Sequence, residues 1–268
     1  MILRPLVPSP RPQPTEGNAP AWPAIARIQK LTAAEYWLVS QPDHAALAGA
    51  LAANFVSPQF PCVDPLMARA IEVHDAGWAM FDSEARSTAA PAVDARGKPV
   101  SFLEIDPADF LRAWCASIER AGSVCPAGGY IVSRHFCALG EGRLGSGIDG
   151  PDNAALLDGF LAGEAERQRR LHAQSGRPLA ALEDLLRLLQ FCDLLSLYLC
   201  CGATEAVEFP QTFASGRVRI RPQNGAFFLD PSPFRAPGGS SEMLSLGVQA
   251  RRYPSASPRT TTLAFLLW

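Results

Sequence analysis

The sequence has no Cys-x-x-Cys pair, no uncharged apolar run of membrane-spanning length, no large excess of either charge and almost no lysine. Each shortage narrows the reading. A helix that crosses a bilayer needs about 18 or more consecutive apolar residues. The longest apolar stretch, Leu188 to Cys201, is interrupted by Gln190, Asp193 and Ser196. The opening MILRPLVPSPRPQP has no apolar h-region of a signal peptide. A cytoplasmic protein without membrane contact is expected. The seven cysteines are scattered through apolar segments and read as reduced core thiols, not as a disulfide framework or a zinc ribbon. Cys200-Cys201 reads the same way, as adjacent core thiols at a helix end. A net charge of −2 provides no basic field to attract nucleic acid or an anionic membrane. Of the 24 basic residues only Lys30 and Lys98 are lysine, a bias that a GC-rich coding sequence explains without any function.

What is present is apolar residue in ordinary supply. At 48% hydrophobic and 268 residues the chain can bury a sizeable core, read here as one domain over 1–268. Residues 1–41 mix a Pro-rich stretch (Pro5 to Pro23) with β-like pieces such as Tyr36-Trp37-Leu38-Val39. Residues 42–202 read as helices. Asp43 is placed to cap one whose apolar face is Leu47, Leu51 and Phe55. Asp64-Pro65 starts another through Met67, Ile71, His74 and Trp78, and Asp106-Pro107 a third that Gly122 can stop. Further helices are expected over Ala127–Leu139, from Asp152 to Gln174, and from Pro178 to before Gly202. A loop from Ser83 to Ser101 should cross the surface. After Gly202 the pieces VEF, VRIRP, GAFFLD, LSLGVQARRY and TTLAFLLW alternate like strands, with Asn224-Gly225 as a hairpin turn. These strands are expected to join the N-terminal β pieces in a small sheet beside the helices.

Asp193 carries the first chemical argument. It sits in LLQFCDLLSLYLC, so any packing of that helix buries it. A bare ionised carboxylate there costs several kcal/mol, so an arginine, a metal ion or a proton must offset its charge. His74 lies on the inward Met67–Ile71–Trp78 face and is followed by Asp75. Adjacent His and Asp on one helix can reach one ion only near the helix end. His44 shares the face of Leu47 and Leu51. Imidazole nitrogens and carboxylate oxygens suit Fe, Mn, Zn or Co, and the absence of thiolates argues against structural zinc. One ion is expected, with two as the alternative. His135 shares a face with Ile131 and Leu139 and is a candidate fifth ligand or a catalytic group; His172 lies in a charged helix end. Arg134 is a candidate anion clamp, Asp82 a candidate general acid or base, and Trp78 a candidate pocket wall. The run GEGRLGSGIDG has neither the strand-then-helix context of a phosphate-binding loop nor that of a nucleophile elbow.

The order His, His-Asp, Asp resembles the HD superfamily of metal-dependent phosphohydrolases. A closer resemblance is to the bacterial family named domain of unknown function 3891. It rests on Gln41-Pro42-Asp43-His44, His74-Asp75-Ala76-Gly77-Trp78, Ser133-Arg134-His135-Phe136 and Asp193 to Cys200, within about residues 36–202. The HD resemblance implies a mainly α (α+β) fold with an HD-like helical core over 42–202 and a small sheet from the flanks. It also implies a hydrolase of a phosphoester or nucleotide, with a small-molecule substrate, a phosphorylated one among those expected. Superfamily members that hold two metals add histidines between the HD pair and the last Asp, where this chain has His135 and His172. That pattern keeps a di-iron oxygenase open, and a non-catalytic metal-binding or sensor protein is the third reading.

Overall fold

The computed structural model describes residues 1–6, 19–82, 91–234, 243–255 and 260–268. Most of the Pro-rich stretch and the first half of the Ser83–Ser101 loop lie outside the described residues. Among the described residues the order is β1 (Ile2–Pro5), α1 (Ala21–Lys30), β2 (Tyr36–Val39), α2 (Gln41–Ala53) and α3 (Pro65–Glu72). Then come α4 (Pro107–Val124), α5 (Pro126–Ser146), α6 (Pro151–Ser175) and α7 (Leu179–Cys201), followed by β3 (Val207–Phe213), β4 (Gly216–Gln223), β5 (Ala226–Asp230), β6 (Leu244–Tyr253) and β7 (Thr260–Leu267).

The expectation of a mainly α, HD-like core carrying a small sheet is overturned. All seven strands form one sheet in the order β1-β2-β6-β7-β5-β4-β3, mixed and curled into a half-barrel. Only the β5–β7 pair is parallel. The sheet is large because the two ends of the chain make one ladder. Tyr36 pairs with Tyr253 and Leu38 with Arg251, which joins the N-terminal hairpin to the long C-terminal hairpin β6–β7. Alternation along β4 buries Val218 and Ile220 and exposes Arg217, Arg219 and Arg221. Asn224-Gly225 does form the β4–β5 turn, both residues at positive φ.

The helices sit near where the periodicity places them, with differences at several ends and one addition. α1 is an addition: Ala21, Ala24 and Ile25 form a short buried stripe that the surrounding prolines conceal. α2 begins earlier than expected. Ser40, not Asp43, is its N-cap, accepting from the Asp43 backbone N–H at 3.1 Å, with Pro42 in the first turn. α4 runs through Gly122 to Val124, and α5 continues to Ser146, so much of the glycine-rich run is helical. Asp64 and Asp106 cap α3 and α4 as read, and Gly202 closes α7 in the left-handed conformation.

α7 is buried on every side from Leu188 to Cys201, apart from half-buried Gln190. Such a helix has no polar face and must be central. Each fully buried Leu contributes roughly 2 kcal/mol of transfer free energy. One apolar cluster runs from Ile2 through α7 to Leu267, joining helices and sheet. The other face of β1–β2 carries a small cluster of Leu3, Tyr36 and Leu38. No helix among the described residues is long and apolar enough to cross a membrane.

Candidate metal centre

The end of α3 makes the site. α3 stops at Glu72, before His74-Asp75, and gives way to tight turns: His74 N–H to Ile71 O, Ala76 N–H to Val73 O and Trp78 N–H to Asp75 O. The expected helix through Trp78 is therefore corrected. The cause is packing. A Cβ at Gly77 would lie 2.0 Å from the Ala113 carbonyl oxygen of α4, and the Gly77 N–H donates to Ser117 Oγ at 2.9 Å. The chain bends to reach α4, and the bend turns the adjacent His74 and Asp75 towards one point. Gly49 acts in the same way between α2 and α3. Its missing Cβ would lie within 2.8 Å of the Glu72 backbone, so the two helices run close and His44 reaches the same point. Asp193 arrives from the middle of α7.

The convergence is tight. His44 Nε2 lies 2.8 Å from Asp75 Oδ2 and 3.9 Å from Asp193 Oδ1. His74 Nε2 lies 3.3 Å from Asp193 Oδ1 and 3.8 Å from Asp75 Oδ2. The ligand-type atoms of His44, His74 and Asp193 all fall within 4.8 Å of one another. Both histidines are fully buried, and Asp75 and Asp193 are 5% and 9% exposed.

The opposite ring nitrogens fix the tautomers. His74 Nδ1 is 2.8 Å from the Ile71 carbonyl oxygen, which can only accept, so Nδ1 carries a proton. His44 Nδ1 is 2.8 Å from Ser196 Oγ, whose own proton goes to the Asp193 carbonyl at 2.8 Å, so this Nδ1 is also a donor. Neutral His44 and His74 then present bare Nε2 lone pairs to two carboxylates. Such contacts repel unless a proton or a cation lies between them. Every ion pair of Asp75 and Asp193 among the described residues is with a histidine; no Arg or Lys offsets them. Without a metal, protons fill the gap. Burial lowers the His74 pKa, but Asp75 and Asp193 outweigh it and push it up to about 9. Burial raises that of Asp193, and the histidines outweigh it, holding it at about 2.

The donors fit a divalent ion. Ligand bonds of about 2.0–2.2 Å put neighbouring ligand atoms about 3 Å apart, close to the observed separations. The fixed Nδ1 partners are the outer contacts that orient metal-binding imidazoles.

His135, from α5, approaches the other side of Asp193, with Nε2 3.8 Å from Oδ2. Burial keeps its pKa below the usual histidine value, despite the pull of Asp193. It also lines a cleft of ≈ 550 Å³ with Asp193, Arg187, Gln190, Trp22 and Gln211. The β3–β4 register slips between Glu208 and Thr212, a bulge that takes in Pro210 and Gln211 on the cleft wall.

Three sequence candidates lie elsewhere. Arg134 pairs with Glu183 at 3.0 Å and donates to Tyr130 Oη at 3.2 Å. Asp82 accepts from the Gln41 N–H at the start of α2, at 2.7 Å, and so anchors that helix. Trp78 packs against Phe81. His172 packs against Tyr130, its ring tilted to the phenol at 48°. The sequence reading missed Arg187, Gln190, Trp22 and Gln211. A signal for the first two exists, as Arg187 lies six residues and Gln190 about one helical turn before Asp193.

A protein-family model described as a protein of unknown function (DUF3891) matches residues 28–245. The chain belongs to this family. The match takes in α2 to β5 and all five converging residues, so the centre lies inside the family's shared region. No curated protein and no solved structure matches the chain.

Proposed function

We propose that this DUF3891 protein is a metal-dependent hydrolase of small phosphoesters. One observation carries the reading: two tautomer-fixed imidazoles and two carboxylates converge on one point beside an open cleft. His44, His74, Asp75 and Asp193 would hold the ion. A divalent Fe, Mn, Zn or Co ion bound there supplies a Lewis acid and lowers the pKa of water. The order His, His-Asp, Asp, shared with metal-dependent phosphohydrolases, supports a phosphoester over other substrates. His135 is buried, held neutral by burial and placed between the cluster and the cleft, where it can take or return a proton at Nε2. Asp193 Oδ2 lies 3.8 Å from that nitrogen. The seven cysteines, all unpaired, fit a reducing compartment such as the cytoplasm.

The di-iron alternative needs a second histidine between Asp75 and Asp193 at the cluster, and His172 lies against Tyr130 instead. The test is purification with defined metals and assay of generic phosphoesters. Metal-stimulated turnover lost in His74→Ala is expected. Metal-loaded protein without turnover would leave only a binding or sensor role.

A further inference from the structure

The cleft is asymmetric in charge and chemistry. Its wall holds one cation, Arg187, one anion, Asp193, which the metal cluster engages, and one aromatic face, Trp22, 43% exposed. Leu139 and Leu194 continue the apolar side. Arg187 donates from Nη1 to Asp184 Oδ1 at 2.7 Å, an exposed pair one turn away on its own helix. Such pairs hold weakly, and a guanidinium has five donors. Its other donors are free to grip a planar anion. Arg187 lies six residues before Asp193 along α7, about 9 Å along the helix axis, a distance that the long arginine side chain largely spans.

Resting on the hydrolase reading, we infer that the cleft selects a phosphate monoester with a planar organic body. Arg187 takes phosphoryl oxygens that face away from the cluster, and Trp22 receives the body. Arg187 and Trp22 are therefore the specificity-determining residues. A cavity of ≈ 550 Å³ has the size of a small-molecule site. An uncharged ester leaves Arg187 without its partner.

The test is calorimetric titration of Mn(II)-loaded protein with orthophosphate and with phenylphosphonate, a non-hydrolysable monoester mimic. The wild type should bind both, phenylphosphonate the more tightly. Arg187→Ala should weaken both about tenfold or more, as expected for a lost charge-assisted hydrogen bond. Trp22→Ala should weaken phenylphosphonate about three- to tenfold and leave orthophosphate unchanged. Arg134→Ala should match the wild type, and all variants should keep full manganese content. Equal binding of the two probes by the wild type, unchanged binding in Arg187→Ala, or an unchanged preference in Trp22→Ala would overturn the inference. Failure of the hydrolase reading is separate: it appears as loaded protein that turns over no phosphoester, whatever these affinities are.

Discussion

Two buried carboxylates, Asp193 and Glu164, face opposite situations in neighbouring parts of the helical layer. Glu164 on α6 is 2% exposed and fully answered by its surroundings. Ser133 Oγ donates to its Oε2 at 2.7 Å, Arg167 Nε lies 3.3 Å from Oε1, and Gln168 Nε2 donates to Ser133 Oγ at 2.9 Å. Donors and acceptors alternate, and a cation of the chain balances the charge. Among the described residues the ion-pair partners of Asp75 and Asp193 are His44, His74 and His135, and the Nδ1 donors of His44 and His74 are committed elsewhere. Glu164 has an arginine of the chain beside it, whereas Asp75 and Asp193 have only histidines and open onto a cleft. Burial alone does not mark a functional carboxylate; the missing counter-charge does.

The largest effect should come from breaking the open cluster. His74→Ala or Asp193→Asn removes a ligand and should lower metal affinity more than about 100-fold, beyond the 10–100-fold typical of outer contacts, read by competition with a chromophoric chelator. The pH dependence is next. The folded apo protein raises His74 from 6.5 to about 9, so its apo stabilisation is complete below pH 6.5 and lost as pH rises through 9. The metal displaces that proton. Affinity should therefore rise about tenfold per pH unit over this window, and metal-induced thermal stabilisation should rise with it. A metal affinity flat between pH 6.5 and 8.5 would separate His74 from the ion.

Glu164→Ala sharpens the contrast from the other side. It leaves Ser133 and Arg167 without their acceptor and should cost about 3 kcal/mol of stability in urea unfolding, as for a broken buried pair, with metal content unchanged. Ser196→Ala is a subtler cut. It removes the acceptor of His44 Nδ1–H, and metal affinity should fall about tenfold while stability changes little. An unchanged affinity would show that His44 is oriented by packing alone.

Much of the site was legible in the sequence. Asp193 stood out as the one charged residue in the apolar run Leu188 to Cys201, and His74-Asp75 because the periodicity of Met67, Ile71 and Trp78 pointed them inward. The exit of α3 before His74 was not legible. No Gly or Pro falls at 73–75; the bend comes from contact between Gly77 and α4, far away in sequence. The sheet was underestimated for a similar reason. β2 and the C-terminal strands were visible in the sequence and β1 was not, and the pairing of Tyr36 with Tyr253 depends on the two chain ends meeting. Guanidinium chemistry made Arg134 a candidate anion clamp and Arg187 went unnamed, but Arg134 adjoins His135 in sequence and neighbours on a helix point about 100° apart. Arg134 turns to Glu183, and Arg187 lines the cleft.

The central claim is that the cluster of His44, His74, Asp75 and Asp193 holds a divalent ion. Elemental analysis of wild-type protein purified without chelator, beside Asp193→Asn, tests it most directly. About one equivalent of Fe, Mn, Zn or Co in the wild type and almost none in the variant is the expected result. A folded wild type that carries no metal and takes none up on titration would contradict it.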